Sequence, residues 1–163
     1  MPLRPCLPFI LLLLLSACAS GPTFETGGVN RALTPRGVTA EPPPAMGQSV
    51  VWGGVILTTT NLKDTTQIEV LAYPLDSDEW PLRDNQPLGR FILLQDGYLE
   101  PADYAEGRLI SVTGTVAGTR AGRVGESDYA YPVISARQVY LWPRERAQDR
   151  TRVIFGVGVG FGM

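Results

Sequence analysis

The chain of 163 residues has no histidine, and Lys63 is its single lysine. The imidazole that most often moves protons near neutral pH is therefore missing. Among the acids, Asp76, Asp78 and Glu79 cluster beside Trp80. The Asp76-x-Asp78 spacing begins like a calcium loop, but the further oxygen ligands and the glycine of such a loop are absent. It reads as a solvated turn, as does Asp96-Gly97. The glycines between Gly114 and Gly125 precede no helix, so they form no phosphate loop. No catalytic residue, metal site or cofactor is expected. What is left are aromatic faces, which stack on sugar or base rings, and arginines, which hold anions. Trp52, Tyr73, Trp80, Tyr98, Tyr129 and Tyr131 supply the first. The candidate ligand-binding set is Tyr73, Arg120, Arg123, Tyr129 and Tyr131, with Tyr129-Ala130-Tyr131-Pro132 as a lip where a loop enters a strand. The competing reading is that these aromatics plug and brace a small barrel. Trp52 and Trp142, set inside strands, read as packing residues.

The most specific chemistry belongs to Cys18. Arg4 precedes an apolar run over residues 7–15, and Ser16-Ala17 brings small residues to a cleavage point, which together make a secretory signal. The run is too short to cross a bilayer, which takes roughly 20 apolar residues. Leu15-Ser16-Ala17-Cys18 resembles the bacterial lipobox. That resemblance implies cleavage before Cys18, a diacylglyceryl thioether on its sulfur, and acylation of the new amine. Two or more acyl chains hold a protein on a membrane where one is marginal. Cys6 leaves with residues 1–17, so Cys18 becomes the only mature thiol, and neither a disulfide nor a free thiol is available. Ala19 and Ser20 follow, with no aspartate after the cysteine, which resembles cargo sorted to the outer membrane.

The elements behind these residues divide into a tether, one domain and a tail. Residues 18–46 carry Gly21-Pro22, Gly27-Gly28, Pro35 and Pro42-Pro43-Pro44 without apolar periodicity, and read as a lipidated tether extending about 3.1 Å per residue. Part of it, around residues 24–33, is alternatively an arm packed on the domain. Residues 47–143 form the domain. Residues 50–60 are β-branched with Gly53-Gly54 at a bulge or bend. In residues 66–73, Ile68, Val70 and Ala72 share one face. Residues 88–95 are apolar throughout. In residues 108–117, Ile110, Val112 and Val116 point inward and Ser111, Thr113 and Thr115 outward. Residues 131–142 shift their inward set from Ile134 and Ala136 to Val139 and Leu141, which places a bulge near Arg137. Pro101 and Gly107 bracket one helical turn at residues 100–104. The chain is thus all-β: five strands and one short helix in the order of a Greek-key, OB-like barrel, with a flat sandwich as the competing architecture. Its ligand loops would be residues 59–65 and 118–128. Residues 144–163 are charged and then alternate glycine with apolar residues. That tail suits either a smooth strand against another sheet or lipid, or a flexible end.

Several motifs follow in order: Val51-Trp52-Gly53-Gly54-Val55-Ile56, Gly89-Arg90-Phe91, Gly97-Tyr98-Leu99-Glu100-Pro101 with Tyr104, Gly107-Arg108, the Gly122 to Gly125 stretch, Tyr129-Ala130-Tyr131-Pro132-Val133 and Leu141-Trp142. Together they resemble the Slp family of outer-membrane lipoproteins. The resemblance implies an outer-membrane lipoprotein, in some members linked to starvation or stationary phase, and carries over no catalytic residue. The net charge of −2 and pI near 5.1 argue against a nucleic-acid partner. The expected partners are the membrane, through the lipid anchor, and an envelope protein or glycan. The expected role is a non-enzymatic structural or adaptor module. The alternative is a small-ligand or glycan binder using the OB-type face.

Overall fold

The computed structural model describes residues 22–144, apart from the side chain of Pro43; Cys18 and the tail beyond Arg144 lie outside the described residues. Five strands carry the fold: β1 (Ser49–Asn61), β2 (Thr65–Ala72), β3 (Gly89–Asp96), β4 (Leu109–Val124) and β5 (Ser127–Leu141). They form one closed ring, β1-β2-β3-β5-β4, in which β4 returns to β1. Every pairing is antiparallel except that of β3 with β5, which is parallel and short, Ile92–Leu94 against Val133–Ser135. This is the ring order of an OB-like Greek-key barrel, so the sandwich is excluded.

The ring closes because β1 serves two ladders. Ser49 to Val55 pair with β4, and Gly54 to Asn61 pair with β2. At the crossover a Cβ on Gly54 would stand 1.9 Å from the Leu71 carbonyl oxygen, so only glycine lets the strands approach. The bend expected at Gly53-Gly54 is therefore present, while the bulge falls a little later. Ile56 faces Val70 and Thr58 faces Glu69, leaving Leu57 extra. On β5, Thr113 faces Gln138 and Gly114 faces Ala136, so Arg137 is the bulged residue. The bulge lets Ile134, Ala136, Val139 and Leu141 all reach the core, with Trp52, Ile56, Ile68, Val70, Phe91, Leu93, Ile110 and Val112. Trp52 meets Phe91 edge-on with ring centres 5.2 Å apart.

Three sequence expectations need correction. Residues 118–128 are not a loop. β4 and β5 continue as a paired ribbon, Gly118 to Val124 against Val133 to Ser127, closed by a two-residue turn at Gly125-Glu126. Gly125, at φ 59°, takes the left-handed conformation such a hairpin turn requires. The loop expected over residues 59–65 shrinks likewise, since β1 runs to Asn61 and β2 starts at Thr65. Second, Ser111 and Thr113, expected on the outward face of their strand, are fully buried. An outer layer covers Ser111: its hydroxyl donates to the Glu79 carbonyl (2.6 Å) and accepts from Trp142 Nε1 (2.9 Å).

Third, the helices stand in the segment read as a tether. α1 (Pro35–Ala40) and α2 (Pro42–Ala45) precede the barrel, while residues 101–104 form only a hydrogen-bonded turn. Thr34 caps α1, its hydroxyl accepting from Gly37 N (3.1 Å), and Pro35 takes the first helical position, where its missing N–H costs nothing. Val38 and Ala45 then enter the core at the end where β3 begins, because Arg36 N donates to the Leu88 carbonyl. At the other end Leu99 and Tyr104 pack on the core. The Thr59 hydroxyl and Asn61 amide hold them there by donating to the Tyr104 and Leu99 carbonyls (2.7 and 3.0 Å). Ahead of α1, Asn30 N donates to the Ser49 carbonyl (2.7 Å) and Trp52 Nε1 to the Leu33 carbonyl (2.8 Å). Of the two arrangements open for this segment, residues 22–46 take that of an arm packed on the barrel.

Gly54→Ala is expected to destabilise the domain by about 3 kcal/mol or more, because the obstacle is backbone. Gly27→Ala, where nothing lies within 4 Å, is expected to stay within about 0.5 kcal/mol. Urea unfolding of the two variants beside the parent protein checks the contrast.

Candidate functional site

The β4–β5 ribbon brings four of the five candidate residues together. Tyr129 and Tyr131 lie edge to face with centres 4.7 Å apart. They do so because they alternate on one strand face, and because Gly122 opposite leaves room. A Cβ there would stand 2.8 Å from the Tyr131 ring. Tyr131 is buried and packs with Ile92, Val133, Leu94 and Val124 as a second apolar cluster, apart from the main core.

The polar ends of these residues are engaged within the chain. Tyr129 OH accepts from Arg90 N (2.8 Å), beside the short parallel pairing of β3 and β5. Tyr131 OH lies 3.2 Å from Glu69 Oε1 and 3.0 Å from the Arg123 carbonyl oxygen, and its single proton serves one or the other. Arg90 Nη1 donates to the same Glu69 oxygen (2.7 Å). Arg120 reaches across to Gln67 on β2, and Arg123 Nη2 donates to the Glu126 carbonyl at the ribbon tip (2.8 Å). Gln67 and Glu69 belong to β2 and Arg90 to β3, the two strands whose face binds ligands in OB folds. Here that face carries the chain's own ribbon side chains. Neither Glu69 nor Arg90 is among the candidate site residues read from the sequence. The outward position of Glu69 in the β2 alternation was the available signal, and only the parallel pairing shows that it meets Tyr131.

Tyr73 stands apart. It lines a groove of about 340 Å³ with Leu33, Trp52, Leu75, Leu88 and Arg31. Arg31 Nη2 pairs with the buried Glu79 carboxylate (2.5 Å), which joins the arm to the β2–β3 connection. That hydrogen bond, opposed by desolvation, raises the Arg31 pKa above its ordinary value. Glu79 is the non-glycine residue with positive φ among those described, at 64°. Asp76 Oδ1 accepts from Asp78 N (2.9 Å) and Trp80 N (3.0 Å), so its carboxylate organises the turn's own amides. Trp80 and Tyr140 sit against Trp142 with centres 4.8 and 4.7 Å away. Tyr98 is 67% exposed, its hydroxyl on Glu100. A second groove, about 580 Å³, was not anticipated; Trp80, Leu82, Arg83, Asp84, Arg108 and Arg144 help line it.

Burial first, and the Glu69 carboxylate second, raise the Tyr131 phenol above its ordinary 10.0. Such a group contributes stability in full below its unfolded value, and that contribution is lost as pH rises through the higher folded value. Tyr131→Phe is expected to cost about 1–2 kcal/mol at neutral pH, the worth of one hydrogen bond to a carboxylate or carbonyl. It is also expected to flatten the loss of stability above pH 10.0. Denaturant melts of both proteins at neutral and alkaline pH measure the two effects.

The comparisons with known proteins fit this architecture to a family. The outer membrane protein Slp of Escherichia coli K12 is 26% identical over 152 residues, which cover 92% of this chain and 80% of that protein. An uncharacterised protein of Haemophilus influenzae is 39% identical over 103 residues, 63% of this chain, and the match spans only 56% of that relative's length. Among solved structures, the mitochondrial single-stranded DNA binding protein Rim1 of S. cerevisiae superposes with a TM-score of 0.39 at 16% identity, covering 61% of this chain and 99% of that one. The family model described as outer membrane lipoprotein Slp family matches residues 15–156. The chain belongs to that family and is an outer-membrane lipoprotein.

Proposed function

We propose that the protein is a non-enzymatic envelope module, anchored by lipid on Cys18, that recognises an envelope protein or glycan at its surface. One observation carries the reading. On the face where OB folds take their ligands, Tyr129, Tyr131, Gln67, Glu69, Arg90 and Arg120 are bonded to one another or to the backbone. A ligand entering there would have to break those bonds before making its own, and each costs about 1 kcal/mol or more to leave unmade. Recognition by the outer surface of the ribbon carries no such cost. Exposed Ser127, Asp128 and Glu126 at its tip offer polar and acidic contacts. Membership in an outer-membrane lipoprotein family supports the anchor.

The small-ligand or glycan reading has one observation in its favour, the groove that Tyr73 shares with Arg31 and Trp52. A glycan that stabilises the protein against heat, with the effect lost in Tyr73→Ala, would move the assignment to that groove.

Two measurements test the main reading. Cys18→Ala is expected to shift the bulk of the protein from the membrane to the soluble fraction, since the acyl chains held by that residue are lost. A photo-crosslinking residue replacing Glu126 in intact cells is expected to give a recurring protein or glycan adduct. Recovery of lipid adducts alone, across repeated experiments, would remove the adaptor role.

A further inference from the structure

If residues 18–46 were extended chain, they would reach roughly 90 Å from the bilayer at about 3.1 Å per residue. The arm removes almost all of that reach. Its first described residue is Pro22, four residues beyond Cys18, and four fully extended residues span at most about 14 Å. The first contacts are with the barrel. Gln138 Nε2 donates to the Thr23 carbonyl (2.8 Å), and Glu25 N donates back to Gln138 Oε1 (3.1 Å). One side-chain amide thus grips the backbone on both sides of Phe24, much as a neighbouring strand would. The Phe24 ring rests against Tyr140 (6.1 Å) and Trp142 (6.4 Å). The arm is therefore fixed to β5 at its first described residues.

We infer that the domain lies flush on the lipid surface, with the β5 segment around Ser135–Gln138 and the clamped residues Thr23–Glu25 facing the headgroups. This rests on the reading that Cys18 carries the lipid. The chemistry of the surface suits headgroups rather than acyl chains. Thr23, Glu25, Asn30, Ser135 and Arg137 are exposed there, and Arg137 Nη2 donates to Ser49 Oγ (3.3 Å) at the same edge. The exposed large apolar side chains, Met46, Leu62 and Tyr98, are none of these, so the surface rests on the membrane without inserting. The ribbon tip is turned away from the bilayer. Glu126 precedes Ser135 by nine positions, roughly 30 Å of strand. A partner that meets the ribbon must therefore come to within a barrel's width of the membrane.

The test uses full-length lipidated protein in vesicles of phosphatidylethanolamine and phosphatidylglycerol that contain a headgroup-linked quencher. A fluorophore is placed on Ser135→Cys or on Glu126→Cys, both exposed. Quenching several-fold stronger at position 135 is the expected result. Inserting about ten Gly/Ser residues between Ala19 and Ser20, a flexible chain of roughly 18 Å mean span, is expected to erase most of the difference. Equal quenching at the two positions without the insertion, or stronger quenching at 126, overturns the orientation even if the protein stays bound. Vesicle binding that survives Cys18→Ala overturns the lipid anchor instead, so the two failures are separable.

Discussion

The barrel depends on a single stretch of backbone having partners on both sides. At Gly54 and Val55, β1 pairs with Ala72 and Leu71 on one edge and with Ile110 and Leu109 on the other. A flat strand can do this in an open sheet, but closing five strands into a ring demands a bend at that point. The bend presses the Leu71 carbonyl into the space a Cβ would fill. Extra residues at Leu57, Ala117 and Arg137 supply the remaining curvature. Each re-aims the side chains that follow it, so that Ile134 and Leu141 reach one core although their positions differ by an odd number.

A five-stranded ring encloses little volume, and the protein adds a second layer outside it. Trp142 bonds to Ser111 from one side while the Glu79 backbone approaches from the other, and Phe24 lies over Tyr140 and Trp142. The inward residues of this fold were legible in the sequence because they obey a local period of two: Ile68, Val70 and Ala72, or Ile110 and Val112, declare themselves within a few residues. The outer layer was not. Ser111 is the kind of residue that faces water, and its cover comes from Glu79, 32 positions away. The arm misled for a related reason. Its prolines and glycines describe an extended chain, although Thr34-Pro35 is a local cap-and-first-turn signal for α1. That local signal marks a helix start, but nothing local says that Val38 has a barrel end to fill.

The candidate site was legible in its parts and not in its state. Tyr129 and Tyr131 are two residues apart, which the sequence shows directly, but that Tyr129 already lies on β5, and not in a loop leading into it, is visible only in the fold. That their hydroxyls are used by Arg90 and Glu69 follows from a parallel contact only three residues long, which no local pattern encodes. Residues 118–128 read as loop because glycines punctuate them. Gly122 instead clears space for Tyr131 and Gly125 makes the turn, so the glycines build the ribbon rather than interrupt a strand.

The arm and the ribbon together limit what the domain can present. The arm closes one barrel end and ties the chain to β5, and the ribbon places its own aromatic and charged groups over the β2–β3 face. What the domain offers is therefore its outer edges, in fixed geometry relative to the first described residues of the arm. Rigid placement near a surface raises the local concentration of a recognition edge for anything else confined to that surface, without any new contact. It also denies the edge to partners held several nanometres away. A flexible tether would have the opposite effect, and the Gln138 grip on Thr23 and Glu25 is the contact that decides between them.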